Sequence, residues 1–323
     1  MAVYTQVSFA AAAELFHELG LGRLVDLTPC PGGIENSNYF ADTDRGRYVL
    51  TLFERLGATE LPFYLQLMKH LAERGVPVPA PHAAADGELV LAVAGKPAAV
   101  VDRLRGAQHL APDVADCGAV GSQLAAMHLA GADFGVVQGN LRGLDWWLRT
   151  VPEVLPHLDA AQAALMRDEL DFQQHLAAST AYAQLPRGAI HGDLFRDNVM
   201  FDDGAISGVF DFYFAATDCL LFDLAVALND WCVDFESGRL CEAHAEALLG
   251  AYAARRPLEG SELRLLPSML RSAAFRFWLS RVWDAHLPRP AMLLKAHDPR
   301  PFERVLRQGR EAPWHPAAAA PAP

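Results

Sequence analysis

Up to about Arg105 the chain shows short apolar runs separated by polar turns, a pattern typical of β-strands. Two segments in this region instead place apolar residues three or four positions apart, which indicates helices. Ser8 is a predicted N-cap of the first helix, Thr59 of the second, and Gly75 a predicted stop. The predicted elements are the helices Ser8–Gly20 and Thr59–Gly75 and the strands Ser37–Ala41, Arg47–Phe53, Glu88–Val93 and Pro97–Arg103.

Beyond Gly106 the pattern changes to long helical repeats, interrupted by one strand-rich insert at Ile190–Phe214. We therefore expect an α+β fold with a small β-rich N-terminal lobe, a larger helical C-terminal lobe and a cleft between them. The expected domains are residues 1–105, residues 106–310 and a disordered tail, residues 311–323. The predicted helices are Asp113–Leu129, Asp145–Leu155, Leu158–Leu185, Leu220–Trp231, Leu240–Arg255 and Ser261–His286.

The composition narrows the function classes. The 323 residues include 27 Lys and Arg against 39 Asp and Glu, a net charge of −12, which disfavours binding of nucleic acid along a broad surface. A phosphate ligand held in a local pocket stays possible. No apolar stretch is long enough for a membrane helix, and the first residues lack the features of a signal peptide. Five cysteines without C-x-x-C spacing favour a reducing cytoplasm.

The segment HGDLFRDN, residues 191–198, matches the kinase pattern H-R-D-L-x-x-x-N at its defining positions, with Gly192 in place of arginine. Two predicted short strands follow and end at Asp211. In phosphoryl transfer, Asp193 would accept or orient the proton of the acceptor hydroxyl, and Asn198 and Asp211 offer oxygen ligands that suit Mg²⁺. The alternative is a turn with a capping aspartate at 193 and a surface carboxylate at 211.

The segment PGGIENSNYF, residues 31–40, has the composition of an anion-binding loop. Gly32 and Gly33 permit close approach of the backbone, and Asn36, Ser37 and Asn38 supply donors. A strand follows it rather than a helix, so we expect a β-hairpin over the phosphates of a nucleotide and not a Rossmann or Walker loop. An ordinary turn is the alternative.

One expected kinase residue is missing. The lysine that usually lies on the third strand is replaced by Thr51, and the chain has three lysines in all. Arg47, Arg55 or Lys96 would then contact the phosphates, or the main chain and Mg²⁺ would suffice. The remaining hypothesis is an inactive kinase fold that binds a nucleotide or a partner.

Two further residues receive structural interpretations. Asp223 lies in the first turn of a predicted helix, where its negative charge interacts favourably with the helix dipole. We expect it to tie the loop 191–198 in place. His128 lies on an otherwise apolar helix and is predicted to be a hydrogen-bonded core histidine.

The strings HGDLFRDN, FDF and DLA resemble the aminoglycoside phosphotransferase/choline kinase-like superfamily, whose members are small-molecule kinases with a protein-kinase-like two-lobed fold. GGIENSNYF, YVLTLFE, HGDLFRDNVMF and NDWC are similar, more specifically, to the bacterial homoserine kinases within it. The similarity runs from about Val3 to Gly309. The homoserine kinase string has threonine at the position of Thr51, which favours a subfamily trait over decay.

The resemblance implies ATP-dependent phosphorylation of the hydroxyl of L-homoserine, a step of threonine biosynthesis. It implies that Asp193 is the catalytic base, that Asn198 and Asp211 bind Mg²⁺, that residues 32–38 cover ATP and that residues 98–105 are the hinge near the adenine. The short distance along the chain from Asp211 to the following helix leaves no room for an activation loop, so regulation by phosphorylation is not expected.

The acceptor requires a cation for its carboxylate and an anion or an aromatic face for its ammonium. The candidates in the helical lobe are Asp230, Trp231, Arg276 and Arg281. Helix geometry separates the two arginines by about 140°, so one of them is expected to face the site. A choline or ethanolamine kinase and an aminoglycoside kinase remain alternatives, because they would use the same catalytic residues.

Overall fold

The computed structural model describes residues 4–30, 36–287 and 297–316. The chain divides into two compact units next to the predicted boundary. Within the described residues, the first unit holds 4–106 and 207–210, and the second holds the remainder. The α+β composition predicted from the sequence is confirmed. The Gly32 and Gly33 positions and most of the predicted tail, residues 317–323, lie outside the described residues.

The first unit is an antiparallel sheet with two helices. Its strands follow the order β1-β2-β3-β5-β4, and β2 pairs with β3 so that Asn38 is opposite Thr51. Its elements are α1 (Phe9–Glu18), β1 (Leu24–Pro29), β2 (Ser37–Thr43), β3 (Arg47–Leu52), α2 (Pro62–Glu73), β4 (Leu91–Val93) and β5 (Lys96–Asp102).

The core of this unit lies between α1 and one face of the sheet. Phe16 of α1 packs into a cluster with strand residues such as Leu50 and Val100, all of them buried. The Ser8 side chain accepts a hydrogen bond from the Ala11 amide, which confirms the predicted N-cap.

Two predictions for the first unit were wrong in detail. Helix α2 begins at Pro62 with Leu61 at the N-cap, and not with Thr59, because proline at the first helical position sets the start without a side-chain cap. The edge strand β1 was not predicted. Its burial pattern is mostly exposed, so the apolar alternation that reveals a half-buried strand is weak there.

The second unit is mostly helical, with short strands between residues 187 and 240. The elements are α3 (Val114–Ala130), α4 (Leu144–Val154), α5 (Ala160–Ala177), α6 (Thr180–Ala183), β6 (Arg187–Ile190), β7 (Val199–Asp202), β8 (Ala205–Val209), β9 (Ala216–Cys219), α7 (Leu220–Trp231), β10 (Val233–Asp234), β11 (Arg239–Leu240), α8 (Glu242–Arg255), α9 (Gly260–His286) and α10 (Arg300–Glu311). Residues 207–209 of β8 count with the first unit. Three two-stranded ribbons pair β6 with β9, β7 with β8, and β10 with β11.

Helices α3 and α8 pack closely because a glycine lies at their contact. A Cβ atom at Gly121 would overlap the backbone carbonyl of Leu248, so the approach requires a residue without a side chain. This packing brings His128 of α3 to Tyr252 of α8.

Two helix predictions in this unit also differ from the structure. The predicted helix Leu158–Leu185 is two helices, because Ser179 leaves the helical conformation and caps α6 through the Tyr182 amide. Helix α10 was not predicted. It is strongly polar apart from Phe302, Val305 and Leu306, which are buried.

No helix among the described residues is long and apolar enough to cross a membrane. All five cysteines are free thiols, as the absence of paired spacing predicts.

Candidate functional site

The segment 191–198 forms a tight loop between β6 and β7. Gly192 has a positive φ of 75°, and a Cβ atom there would come within 2.7 Å of the Phe214 carbonyl. Arginine, which the kinase pattern has at this position, would be strained in that conformation and would clash with the backbone. The substitution in the motif is thus a requirement of this loop.

The hairpin between β7 and β8 leads from this loop to Asp211. Its turn residues Asp203 and Gly204 both have positive φ, the geometry that matches a two-residue hairpin. Asp211 follows β8 in the left-handed region, with φ 64° and ψ 61°, and is exposed. A non-glycine residue held in this region is uncommon and concentrates at functional sites.

Asp193 lies among groups that hold its carboxylate in one orientation. The Asn198 side-chain amide donates to the Asp193 backbone carbonyl at 2.8 Å and lies 3.3 Å from its Oδ2. Arg276 Nη1 of α9 lies 3.5 Å from Oδ1. The structure therefore brings together Asp193, Asn198 and Arg276, three of the residues singled out in the sequence.

The surroundings of Asp193 make its carboxyl group harder to ionise than that of an exposed aspartate. Burial raises the pKa of the Asp193 carboxyl to about 7, Arg276 opposes the rise, and the negative charge of Asp211 adds to it. The side chain is still 16% exposed, so a substrate hydroxyl can reach it. A carboxylate with a pKa near neutrality suits a general base.

Asp223 ties the same loop to helix α7. It accepts hydrogen bonds from the backbone amides of His191 and Gly192, both at 2.7 Å, and from His128 Nε2 at 3.1 Å. These contacts outweigh burial and lower the pKa of Asp223, so it is a carboxylate at neutral pH. The predicted structural roles of Asp223 and His128 are confirmed.

The structure does not support an acceptor role for Asp230 or Trp231. The Asp230 carboxylate accepts from Arg196 N at 2.8 Å and Arg196 Nε at 3.0 Å, which holds loop 191–198, the candidate catalytic loop, at Arg196. Trp231 is buried, and its Nε1 donates to the Leu194 carbonyl at 3.0 Å. Both residues fix the backbone of the loop.

Of the two candidate arginines, Arg276 lies beside Asp193. Its guanidinium stacks on the Phe214 ring, 4.8 Å from the centroid, and on the Phe277 ring at 3.7 Å. Arg281 donates to the Asp298 carbonyl at 3.2 Å and stacks on Phe302. This difference follows the angular separation expected from their spacing on the helix.

Sequence reasoning missed Arg142, which precedes α4. Its guanidinium lies 5.9 Å from the centroid of the same Phe214 ring. The one signal in the sequence was the pair Trp146 and Trp147, which lies four and five positions after Arg142, because aromatic faces often stack on arginine.

In the first unit, the Ser37 hydroxyl has a different role from the one expected. It accepts from the amides of Tyr4 and Thr5 and donates to Glu54 Oε1 at 2.7 Å, so its single hydrogen is not offered to a phosphate. Lys96 Nζ lies 3.0 Å from the same Glu54 carboxylate.

Thr51, which replaces the usual lysine, is buried. Its hydroxyl donates to Asn38 Oδ1 at 2.8 Å across the pair formed by β2 and β3. The Asn38 side chain thus links two strands of the sheet. Asn36 lies directly before β2. The third-strand position therefore has a neutral hydrogen bond where other kinases have a cation.

The donor atoms near Asp193 fit a hard divalent cation. The nitrogen of the Asn198 amide faces Asp193, which leaves its oxygen for a cation, and Asp211 adds a carboxylate. Among the described residues, no group of three or more His, Cys, Asp and Glu side chains could hold a metal ion. A site at Asn198 and Asp211 would thus have few protein ligands, which is usual for Mg²⁺ bound together with phosphates.

Comparison with known proteins agrees with this geometry. The model of the phosphotransferase enzyme family, APH, matches residues 26–258. The chain belongs to this phosphotransferase family. Within the family it is 57% identical to a homoserine kinase from Polaromonas naphthalenivorans, over 97% of this chain and 99% of that protein. It is 51% identical to a homoserine kinase from Paraburkholderia xenovorans, over 95% and 96% of the two chains.

The phosphotransferase fold is also found in distant solved structures. An amicoumacin kinase, solved in complex with AMP-PNP, Ca²⁺ and Ami, has a TM-score of 0.68 at 17% identity, covering 90% of each chain. At this identity the likeness shows the fold, and it confirms the protein-kinase-like architecture expected from the resemblance.

Proposed function

We propose that the protein transfers the γ-phosphoryl group of ATP to the hydroxyl of L-homoserine and produces O-phospho-L-homoserine, an intermediate of threonine biosynthesis. The observation that carries the proposal is the Asp193 carboxylate, held by Asn198 and Arg276, in a chain 57% identical to a homoserine kinase along nearly its whole length. The choline, ethanolamine and aminoglycoside alternatives have no comparable support.

In the proposed reaction, Asp193 accepts the proton of the homoserine hydroxyl. The hydroxyl oxygen forms a bond to the γ-phosphorus while the bond from that phosphorus to the β-phosphate oxygen breaks, and ADP leaves. The pKa of Asp193, raised to about 7, makes its carboxylate a stronger base than an exposed aspartate. Arg276 keeps the carboxylate oriented from 3.5 Å.

We propose that the divalent cation is Mg²⁺ and that Asn198 and Asp211 hold it. Bound there, Mg²⁺ would neutralise negative charge on the phosphates of ATP. Asp230 holds Arg196 and thereby supports the backbone between Asp193 and Asn198. The amicoumacin kinase complex, with its AMP-PNP and Ca²⁺, supports the general requirement for a nucleotide and a divalent cation.

For the nucleotide, we propose that the segment from Gly32 to Asn38 contributes mainly through its backbone. The Ser37 hydroxyl and the Asn38 side chain already have partners in the first unit. Lys96, paired with Glu54, is the cation most comparable to the missing lysine, because kinases commonly pair that lysine with a glutamate. The five free thiols suit a cytoplasmic location, which we also propose.

The test is ADP release from Mg·ATP with a panel of L-homoserine, D-homoserine, L-serine, choline, ethanolamine and kanamycin. We expect turnover with L-homoserine that far exceeds the rest of the panel. Preferential turnover of choline or kanamycin would overturn the proposed substrate but leave Asp193 as the base. Binding of ATP without transfer to any acceptor would favour an inactive kinase fold.

A further inference from the structure

Helix α10 carries a phenylalanine that lies at the centre of a group of aromatic rings. Phe302 is fully buried, and its ring stacks on that of Phe277 at 5.1 Å between centroids and on that of Phe195 at 5.8 Å. It meets the ring of Phe235 edge to face at 5.6 Å. The rings of Phe195 and Phe277 also pack on each other, with centroids 4.4 Å apart. These four phenylalanines, the aromatic cluster, join four segments of the second unit.

Phe195 connects the aromatic cluster to the candidate catalytic loop. Its backbone amide donates to the Asp193 carbonyl at 2.7 Å, and its carbonyl accepts from the Asn198 amide at 2.9 Å. The position of the Phe195 ring therefore restricts the backbone on which Asp193 and Asn198 lie. The guanidinium of the next residue, Arg196, stacks on the Phe235 ring at 5.4 Å from the centroid, which gives the loop a second connection to the aromatic cluster.

Phe277 connects the same aromatic cluster to the cation beside Asp193. It follows Arg276 on α9, and the Arg276 guanidinium lies over its ring, 3.7 Å from the centroid. Nη1 of this guanidinium lies 3.5 Å from Asp193 Oδ1. A planar guanidinium stacked on an aromatic face has few orientations, so a shift of the Phe277 ring would also shift Arg276. Phe302 thus packs on the ring that supports Arg276 and on the ring of the loop that carries Asp193.

The contacts of α10 keep Phe302 in place. Val305 and Leu306, three and four positions later, are buried on the same face of the helix. Arg304 donates from Nε to the Phe235 carbonyl at 2.9 Å, which ties α10 to the segment after β10. The Phe302 ring therefore provides a fixed surface against which the other rings pack.

We propose that Phe302 is a positioning residue that sets the distance between Arg276 and the Asp193 carboxylate. The inference rests on the proposed function, in which Asp193 is the base. Phe302 acts through its neighbours Phe195 and Phe277, because its own contacts are with these rings. Loss of the Phe302 ring leaves space into which both neighbours can shift. A displacement of about 1 Å can lower the rate of an enzyme about 100-fold, even when the substituted residue lies away from the chemistry.

The experiment measures kcat and KM with Mg·ATP and L-homoserine for Phe302→Leu, which keeps the position apolar but removes the ring. We expect kcat to fall about tenfold, because the orientation of Asp193 and Arg276 is less well defined. The KM for ATP should stay within about twofold, because the substitution does not alter the residues that would bind the nucleotide. Phe302→Met, which also lacks a ring, is a second variant and should give the same split between kcat and KM.

Leu306→Ala is the matched control. Leu306 is fully buried one turn further along α10, but it is not part of the aromatic cluster. Its truncation should lower the free energy of unfolding, measured in urea, because it leaves a cavity in the core. Its kcat should stay within about twofold of the wild type, because the distance from Arg276 to Asp193 is preserved.

A double-mutant cycle with Arg276→Gln separates positioning from a general loosening of the core. If Phe302 acts by placing Arg276, Phe302→Leu should lower kcat by less than about threefold when the guanidinium is already absent. Leu306→Ala should have the same small effect with and without Arg276→Gln, since residues that act independently have additive effects.

An equal loss of kcat from Phe302→Leu in both backgrounds, or an unchanged kcat in the single variant, would overturn the positioning role. A loss of kcat in Leu306→Ala as large as that in Phe302→Leu would also overturn it, because packing alone would then account for the effect. Failure of the wild-type protein to phosphorylate L-homoserine would instead overturn the proposed function. The wild-type measurement therefore distinguishes the two failures.

Discussion

Two aspartates of the second unit meet the catalytic loop in opposite electrostatic environments. Asp193 belongs to the loop and has Arg276 and the Asn198 amide near its carboxylate. Asp223 contacts the loop from α7 and accepts two backbone hydrogen bonds together with one from His128. Burial raises the pKa of Asp193 to about 7, whereas the donors around Asp223 lower its pKa.

The difference shows that the donors around an aspartate decide whether its carboxylate stays basic or stabilises a loop. A carboxylate with few donors remains a proton acceptor at neutral pH, at a cost to the folded state. A carboxylate with a full set of donors is no longer basic, and it stabilises the loop that carries the reactive one. Substitution of Asp193 should therefore mainly reduce activity, whereas substitution of Asp223 should mainly reduce stability.

The largest expected effect is the loss of activity in Asp193→Asn. An asparagine cannot accept the hydroxyl proton, so kcat should fall by about 10²- to 10⁴-fold. Affinity for Mg·ATP, measured by calorimetric titration, should change little, because Asn198 and Asp211 are intact. Turnover close to that of the wild type would contradict the assignment of Asp193 as the base.

The same variant should be more stable than the wild type above pH 7. The folded-state pKa of Asp193 lies above its unfolded value of 3.8, so the folded protein loses stability as pH rises from about 4 to 7. Asp193→Asn removes this dependence, and we expect a gain of about 1 kcal/mol at pH 8, reduced by the loss of the Arg276 contact. Urea unfolding at pH 4 and pH 8 measures it.

Asp223→Asn should have the opposite effect on stability. The carboxylate accepts on both oxygens, and an asparagine would turn its amide nitrogen toward backbone donors. Breaking the buried pair of Asp223 and His128 should cost about 3–5 kcal/mol of unfolding free energy. Because the folded pKa of Asp223 is lowered, its stabilising effect is present above the unfolded pKa and is lost as pH falls through the folded value. A variant as stable as the wild type in urea would rule out the anchoring role.

The pH profile of kcat/KM reports the ionisation of Asp193. It should rise about tenfold per pH unit below a pKa near 7 and level off above it, because Asp193 must be ionised in the free enzyme. Arg276→Gln removes the charge that opposes the rise in the pKa of Asp193, so the acidic limb should move to higher pH. A limb that stays at the same pH in this variant would assign it to another group.

The smallest effect on activity is expected for Tyr252→Phe. The Tyr252 hydroxyl forms a 2.7 Å hydrogen bond with His128 Nδ1, one step beyond the bond from His128 to Asp223. Its removal should lower the unfolding free energy by about 1 kcal/mol and leave kcat unchanged. A large loss of kcat would mean that the anchor also controls catalysis.

Much of the fold follows from local patterns. Helix α7 has the predicted bounds, and the two short strands predicted before Asp211 form the hairpin of β7 and β8, which turns at Asp203 and Gly204. The edge strand β1 and the polar helix α10 were missed, because their burial depends on neighbours that no local pattern reveals. The motif likewise predicted that Asp193 and Asn198 lie together, since their spacing is fixed within one short loop.

Residues that could bind the acceptor were harder to predict from the sequence. Asp230 and Trp231 were candidates because of their residue types, yet both hold the catalytic loop. Arg142 lies far from the motif along the chain. It is close to Arg276 only in the folded protein, where both guanidinium groups lie near the ring of Phe214.

From the sequence alone one could predict the α+β class, the kinase-type loop and the aspartate that we propose as the reactive carboxylate, because residues a few positions apart have nearly fixed relative geometry. Helix packing, which the sequence pattern does not reveal, determines which aspartate is basic and which one anchors the loop. A pKa depends on burial and on donors from distant segments: His128, Arg276 and the backbone of the loop reach these two carboxylates through helix packing.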